Sequence, residues 1–370
     1  MATPVWAGVV NTTAPRYLKG ASDQTIRTRL FLALLKKHGG ITFNETGRDL
    51  NWQVEALQPP VSGFSDGAQL DFTRHNKYRQ LNIDWRGYTT TDMMTEMETL
   101  MNRGDQQLID RYASILPGLT KSITDKFGTQ VYLDGYASGN ELLLCGLDSF
   151  TGTGTTVVGD RIAQPSDTYA GKSTAVGNLG GTWSADLTTF PNAAIATDWP
   201  SGTGSSEYDY LSPKLMNWSS NAWGTGSVTW EDNCERAIRQ LIIWLTLTGG
   251  LEGKPDVILL NGDLFYGYEN KASAKFRTIT PYKDMEDLGF AGSIQQEGVG
   301  IQTEFGIPVN TGYAINFDQV QLRCLTDKLF YSKGPEWDIK VLSWLFAVGY
   351  FGNMTWNCKF QGKLKNYAAS

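Results

Sequence analysis

Histidine is almost absent from this chain, and most of the chemistry that depends on it goes too. Only His38 and His75 occur in 370 residues, which excludes multi-histidine metal centres and the HExxH zinc helix. A serine nucleophile would need one of those two as its base, and no GxSxG elbow precedes either. Cysteine is nearly as scarce. Cys145, Cys234, Cys324 and Cys358 stand far apart with no CxxC pair, so neither a zinc ribbon nor a dense disulfide scaffold is expected, and buried free thiols in a reducing compartment are. Positive charge is not in excess: the formal net charge is −6, which argues against an unaided nucleic-acid-binding domain. The longest apolar runs, Leu241 to Leu247 and Leu342 to Phe351, fall short of a bilayer's thickness, and no basic-then-apolar leader pattern is seen. A soluble, unexported protein without a membrane partner is expected, and 41% hydrophobic residues suffice for a substantial core.

Cofactor motifs are likewise incomplete. Gly171-Lys172-Ser173-Thr174 looks like the end of a phosphate loop, but Ser166 stands where the first glycine is required and no buried strand leads in. Gly152-Thr153-Gly154 lacks the third glycine of a dinucleotide turn. Both read as polar loops, and no cofactor or metal is expected. Carboxylates at Asp256, Asp263, Glu269, Asp284, Glu286 and Asp287 lie near many Trp and Tyr residues, which keeps a carbohydrate-active enzyme or binding module in view. Their spacing fits no motif, and aromatic residues in such numbers also suit subunit interfaces.

What is present is an order of parts. Residues up to Ala21 lack a period and read as an arm. Thr25 to Lys37 places Ile26, Leu30 and Leu34 on a helical stripe, with Phe31 and Leu35 beside it and Gly39-Gly40 as the stop. Arg16, Lys19, Arg27, Arg29, Lys36 and Lys37 make this start locally basic, with Asp23 the only acid. Such charge is either a solvated face or a contact for nucleic acid or an acidic partner surface. From Ile41 to Tyr88, alternating runs at Asn51 to Glu55 and Leu81 to Trp85 flank a turn-rich tip from Pro59 to Gly67. That is a hairpin too long to be supported by its own subunit, so its apolar face is expected to be covered by a neighbouring copy.

Beyond the hairpin, Thr89 and Asp92 suggest a capping box for a helix carrying Met93, Met94, Met97, Leu100 and Met101. Asp105 to Phe127 continues as a long helix in which Pro117 should produce a kink. A loop-rich stretch with Trp183, Trp199, Trp218, Trp223 and Trp230 follows. Then come a helix with its cap at Thr229, the buried strand Val257 to Leu260 after Pro255, and terminal strands at Val320 to Cys324, Trp344 to Tyr350 and Met354 to Phe360. These last strands are expected to return to the long helix, leaving the mixed lobe inserted.

In this order the chain resembles the major capsid proteins of tailed bacteriophages, which have the Hong Kong 97-type fold. The residues that carry the resemblance are the hairpin around Pro60 to Gly67, the helix Asp105 to Phe127, and the passage Thr168-Tyr169-Ala170-Gly171 leading to Gly180-Gly181-Thr182-Trp183. Pro255-Asp256-Val257-Ile258-Leu259, Tyr266 to Glu269, and Trp344 to Gly352-Asn353 complete the set. The resemblance implies an α+β fold divided as follows: an N-terminal arm with a short helix (1–40), an extended loop (41–88), a peripheral domain with a spine helix (89–145), an inserted axial domain (146–310) and return strands of the peripheral domain (311–370). It implies a structural protein, not an enzyme, that self-assembles into hexamers and pentamers of a virion shell around double-stranded DNA. Assembly would take place in the host cytoplasm with scaffold, portal and decoration proteins as partners; an encapsulin-like compartment shell is the alternative of the same fold. The tip from Pro59 to Gly67 has no lysine for covalent crosslinking, so noncovalent contacts are expected through Val61, Phe64, Trp52 and Trp85. Pro117 is the expected hinge, and Arg16, Lys19, Arg27 and Arg29 the expected inner-surface basic residues. Scaffolding would come from a separate protein or a segment already cleaved.

Overall fold

The computed structural model describes residues 29–56, 59–101 apart from 60, 64, 68, 70 and 71, then 111–153, 156–158, 161–162, 168–173, 182–183, 210–218 apart from 212, 229–275, 294–366 and 368–369. Its first element is helix α1 (Leu30–Lys37), with Leu30, Phe31, Leu34 and Leu35 buried, as an apolar stripe at spacings of three and four requires. The apolar stripe of the helix expected over Thr25 to Lys37 is inserted into the core; residues 25–28 lie outside the described residues. Phe31 lies 5.4 Å from Phe317 and 6.0 Å from Trp356 between ring centroids. His38 caps the helix and Gly39 turns the chain at φ +70°, a conformation that costs glycine little.

After β1 (Ile41–Thr42) come the paired strands β2 (Leu50–Glu55) and β3 (Tyr78–Ile83), antiparallel from Leu50 opposite Ile83 to Glu55 opposite Tyr78. Leu81 and Ile83 belong to the main core, and Trp52 and Val54 pack against it. The stem is therefore covered by its own subunit, contrary to expectation, because its base lies across the body of the domain. Only toward the tip does cover disappear, and Tyr78 is already exposed.

The next element corrects the sequence reading. Residues expected to begin a helix at Thr89 form strand β4 (Arg86–Thr95), paired from Arg86 opposite Gly352 to Thr95 opposite Ser343. Ten residues of ladder outweigh the helical spacing of the methionines. Helix α2 (Glu96–Met101) starts after it, and the capping box is Thr95 with Glu98: Thr95 Oγ1 accepts from Glu98 N at 3.3 Å, and Glu98 carboxylate accepts from Thr95 N at 3.2 Å. Helix α3 (Arg111–Gln130) is about 30 Å long. It runs helically through the exposed Pro117 and continues past Gly128, where the expected helix stopped. Its inner side meets β4 and the long strand Ser343–Trp356 through Phe127, 4.9 Å from Tyr350 and 6.1 Å from Tyr88.

A buried turn, α4 (Asp148–Thr151), leads to short strands β5 (Thr156–Val158), β6 (Arg161–Ile162), β7 (Thr168–Tyr169), β8 (Lys172–Ser173) and β9 (Thr182–Trp183). β7 and β8 form a tight hairpin with Ala170 at φ +49° and Gly171 at +73°, the positive values a two-residue turn needs. Gly171 thus belongs to a hairpin turn, and Lys172 and Ser173 to the strand that follows it. Tyr169 is fully buried, its hydroxyl accepting from Trp356 N at 3.2 Å, while Ala170 O accepts from Asn82 N on β3 at 3.1 Å.

The remaining elements are β10 (Lys214–Asn217), α5 (Trp230–Gly249), β11 (Val257–Leu260), α6 (Gly262–Lys275), β12 (Ile294–Gln296), β13 (Val299–Thr303), β14 (Thr311–Ile315), β15 (Val320–Cys324), β16 (Tyr331–Asp338), β17 (Ser343–Trp356), β18 (Gly362–Lys365) and β19 (Ala368–Ala369). One sheet runs β1-β15-β17-β16, with β4 also on β17; another runs β10-β18-β14-β11-β13-β12. β19, β5, β6 and β9 form a third sheet. β11 lies inside the six-stranded sheet and is buried on both faces, which is why it reads as an unbroken apolar run. Val257 and Leu259 enter the main core with α1, α3 and β17; Ile258 and Leu260 enter a second core under α5 and α6.

Two expectations for the C-terminal part change. Trp344 to Tyr350 and Met354 to Phe360 are not two strands: β17 is continuous for 14 residues through Gly352 and Asn353, and Cys358–Phe360 forms a 3-10 turn. The span 311–370 does not return as a block to the peripheral sheet, because β14 and β18 pair with each other inside the six-stranded sheet.

Candidate assembly surfaces

The basic residues expected on an inner surface divide sharply. Arg16, Lys19 and Arg27 lie outside the described residues. Arg29 is 4% exposed and acts inside the molecule: its guanidinium pairs with Asp125 on α3, and donates to Asp125 O at 3.0 Å and Phe305 O at 2.6 Å. Sequence charge alone gave no sign of this, because burial of an arginine is decided by tertiary partners. Arg86 plays a similar part at the start of β4, donating to the carbonyls of Gly135, Asn140 and Leu143 and lying 5.5 Å from the Tyr136 ring centre.

Of the expected contact residues, Val61 is 99% exposed on the hairpin loop, and Phe64 lies outside the described residues. Trp52 is half-buried against the main core of its own chain. Trp85 is half-buried, its indole N–H donating to Gly47 O at 3.1 Å. Among the described residues, Val61, Trp52 and Trp85 have different surroundings: Val61 is available to another molecule, Trp52 serves the stem, and Trp85 bonds the chain at Gly47.

A second exposed apolar surface escaped the sequence reading. The turn between β16 and β17 carries Ile339, 77% exposed, with Val341 and Leu342 also exposed. Leu342 has φ +47°, a strained conformation for a leucine. Glu96 N donates to Leu342 O at 3.0 Å, which brings exposed Met97 of α2 to the same end of the sheet. Behind the tip, β16 breaks register between Lys333 and Glu336. A groove of about 640 Å³ crosses β4, β17 and β16 there, lined by Met93, Leu345 and Ala347 together with Asp92, Lys333 and Glu336. Three apolar residues in a turn, where Gly, Asn and Asp are usual, were the available signal.

The carboxylates considered for sugar chemistry are not brought together. Asp256 accepts from Phe317 N at 2.8 Å, Asp263 and Glu269 point to solvent along α6, and Asp284, Glu286 and Asp287 lie outside the described residues. Among the described residues, no group of three or more His, Cys, Asp or Glu side chains could hold a metal ion, and no helix is long and apolar enough to cross a membrane. All four cysteines are buried free thiols. His38 stacks on Phe317 at 5.4 Å and lies 3.6 Å from Asp318, while His75 is exposed in the loop.

A projecting hairpin on a covered stem, a long helix across a sheet, and a second sheet reached by two separate passes of the chain make an α+β structure of the Hong Kong 97 type, the fold of tailed-bacteriophage major capsid proteins. Solved structures carry this finding. The chain is similar to the cyanophage A-1(L) capsid asymmetric unit, with a TM-score of 0.59 and 13% identity over 95% of this chain and 96% of that one. It is also similar to the capsid of a native GTA particle, with a TM-score of 0.55 and 12% identity over the same shares of 95% and 96%. No protein-family model matches the chain, and no curated protein matches it.

Proposed function

We propose that this chain is the major capsid protein of a tailed bacteriophage, forming hexamers and pentamers of an icosahedral shell that encloses double-stranded DNA. The observation that carries this reading is the likeness of fold along 95% of the chain to a phage capsid subunit. The exposed loop supports it. Beyond Glu55 and Tyr78 the hairpin leaves the body that covers its stem, and Val61 and Phe72 stand almost fully in solvent. Apolar groups so placed gain cover when another copy meets them, and many such modest contacts act together in a closed shell.

In this reading Val61 and Phe64 of the loop join a neighbour without covalent bonds, Trp85 adds a contact near the stem, and the tip at Ile339 to Leu342 supplies another. Arg16, Lys19 and Arg27 of the arm face the packaged DNA through weak, salt-sensitive contacts. Pro117 serves as a pivot of α3 when the shell expands. The domain division into arm, loop, peripheral and axial parts is kept, with β14 and β18 assigned to the axial sheet. Scaffold, portal and decoration proteins are the partners, and the virion is the final location.

The test is to express the chain with candidate scaffold and examine it by sedimentation and electron microscopy. Closed shells containing DNA support the proposal. Shells loaded with protein other than the scaffold support the compartment alternative, and a compact monomer at high concentration overturns both.

A further inference from the structure

Helix α1 is fastened at its N-terminal end by two clasps. In the first, Arg29, the N-cap residue, passes over Gly128, where a Cβ would overlap its side chain, and reaches Asp125 and the carbonyl of Phe305. In the second, Glu304, just beyond β13 and 8% exposed, accepts through Oε2 from Phe31 N at 3.1 Å and from the Tyr132 hydroxyl at 2.6 Å. Each clasp leaves one buried atom without a partner: Arg29 Nε and Glu304 Oε1. An ionised carboxylate here would have the helix N-terminus, the Tyr132 hydroxyl and the Arg29 charge in its favour, yet half of its acceptor capacity would go unused in a dry site.

We propose that Glu304 is a proton-operated latch for helix α1: neutral, it leaves α1 seated in the core; ionised, it loosens α1. The inference concerns the single chain and does not depend on the assembly reading. Burial pushes the Glu304 carboxyl up to about 7, against the lowering influence of Tyr132, the Phe31 N–H, Arg29 and the Leu30 N–H. The charged and titratable groups around the site are Arg29 from α1, Asp125 from α3, which Arg29 neutralises, and Tyr132 from the segment after α3, whose own hydroxyl is held protonated by burial and by Glu304. The seated state thus binds the proton more tightly than an opened state in which Glu304 meets water at its ordinary value of 4.5. Seating is strongest below that value and is lost as the pH rises through about 7.

Hydrogen exchange on the full chain tests this, with rates corrected for intrinsic chemistry and read at residues 30–38. Wild-type protection there should fall by roughly tenfold or more between about pH 5.5 and about pH 8.5, while Glu304→Gln gives a flat profile and β11 gives a flat profile in both proteins. His38, at the other end of α1, is retained in the variant, so its contribution is common to both profiles. Tyr132→Phe removes a donor to the ionised form and should move the wild-type transition to higher pH. Constant protection in the wild type, an equal fall in Glu304→Gln, or an unmoved transition in Tyr132→Phe would each overturn the latch.

Discussion

Lys363 Nζ lies 2.6 Å from Asp148 Oδ1 in the interior, where both side chains are almost fully buried. The same oxygen accepts from the Tyr313 hydroxyl at 2.8 Å and Thr151 Oγ1 at 3.0 Å, and Lys363 also donates to Gly152 O at 2.6 Å. One network thereby ties β18 and β14 of the six-stranded sheet to α4, beyond the spine helix. Burial pulls the Lys363 ammonium below its ordinary value, and Asp148 opposes that pull.

Removing one partner of this pair should cost far more than removing both. Lys363→Met strands a carboxylate in the interior, and we predict a loss of about 3–5 kcal/mol. The double variant Lys363→Met with Asp148→Asn should lose clearly less than the sum of the two singles, since Tyr313 and Thr151 can still bond the amide oxygen. Denaturant midpoints of the four proteins measure the coupling; additive losses would show that the pair is not a unit.

The thiols give a second prediction. Burial pushes Cys234 up to about 11 and Cys324 to about 12, and raises Cys145 and Cys358 as well. Since the thiolate is the reactive form, native protein near neutral pH should react with a disulfide reagent about 100-fold or more slowly than free cysteine. Denaturation should release all four thiols. A fast-reacting thiol in native protein would contradict the packing described for that residue.

The sequence was legible where local and tertiary preferences agree. α5 announces itself by a long stripe of Cys234, Ala237, Ile238, Leu241 and Leu245, all buried, and by glycine at its end. β11 announces itself by four apolar residues because both its faces are covered. β4 was misread because Met93 and Met94 continue with Met97 in a helical period, while the register of Met93 and Met94 is decided by β17, some 250 residues away in the chain. Arg29 and Glu304 were opaque for a related reason. A charged residue carries no local mark of burial, and their partners lie on α3 and α1, far from each in sequence. The exposed tip at Ile339 could have been found, since apolar residues occupied a turn.

Assembly and folding should separate under mutation of exposed apolar residues. Val61→Asp and Ile339→Asp change side chains that stand in solvent, so each should alter the stability of the isolated chain by no more than about 0.5 kcal/mol. On the proposed function, each places a charge in an interface between copies and should sharply reduce the yield of closed shells, with unassembled protein of unchanged circular dichroism accumulating. Full shell yield from both variants would remove these surfaces from the assembly contacts.

Pro117 offers a way to separate local stability from motion. It sits inside α3, exposed, at a position where its missing N–H leaves one carbonyl of the preceding turn without its helical partner. Pro117→Ala restores that donor and should stabilise the helix by about 1–3 kcal/mol, because no buried contact of the proline ring is lost. If the proline is a pivot, the stiffer helix should slow the expansion of assembled shells, measured as the change in particle radius by light scattering after the trigger is applied. A stabilised chain with unchanged expansion rate would leave Pro117 as a local irregularity that the helix tolerates and assign the motion to other elements, beginning with helix α1 held at Arg29 and Glu304.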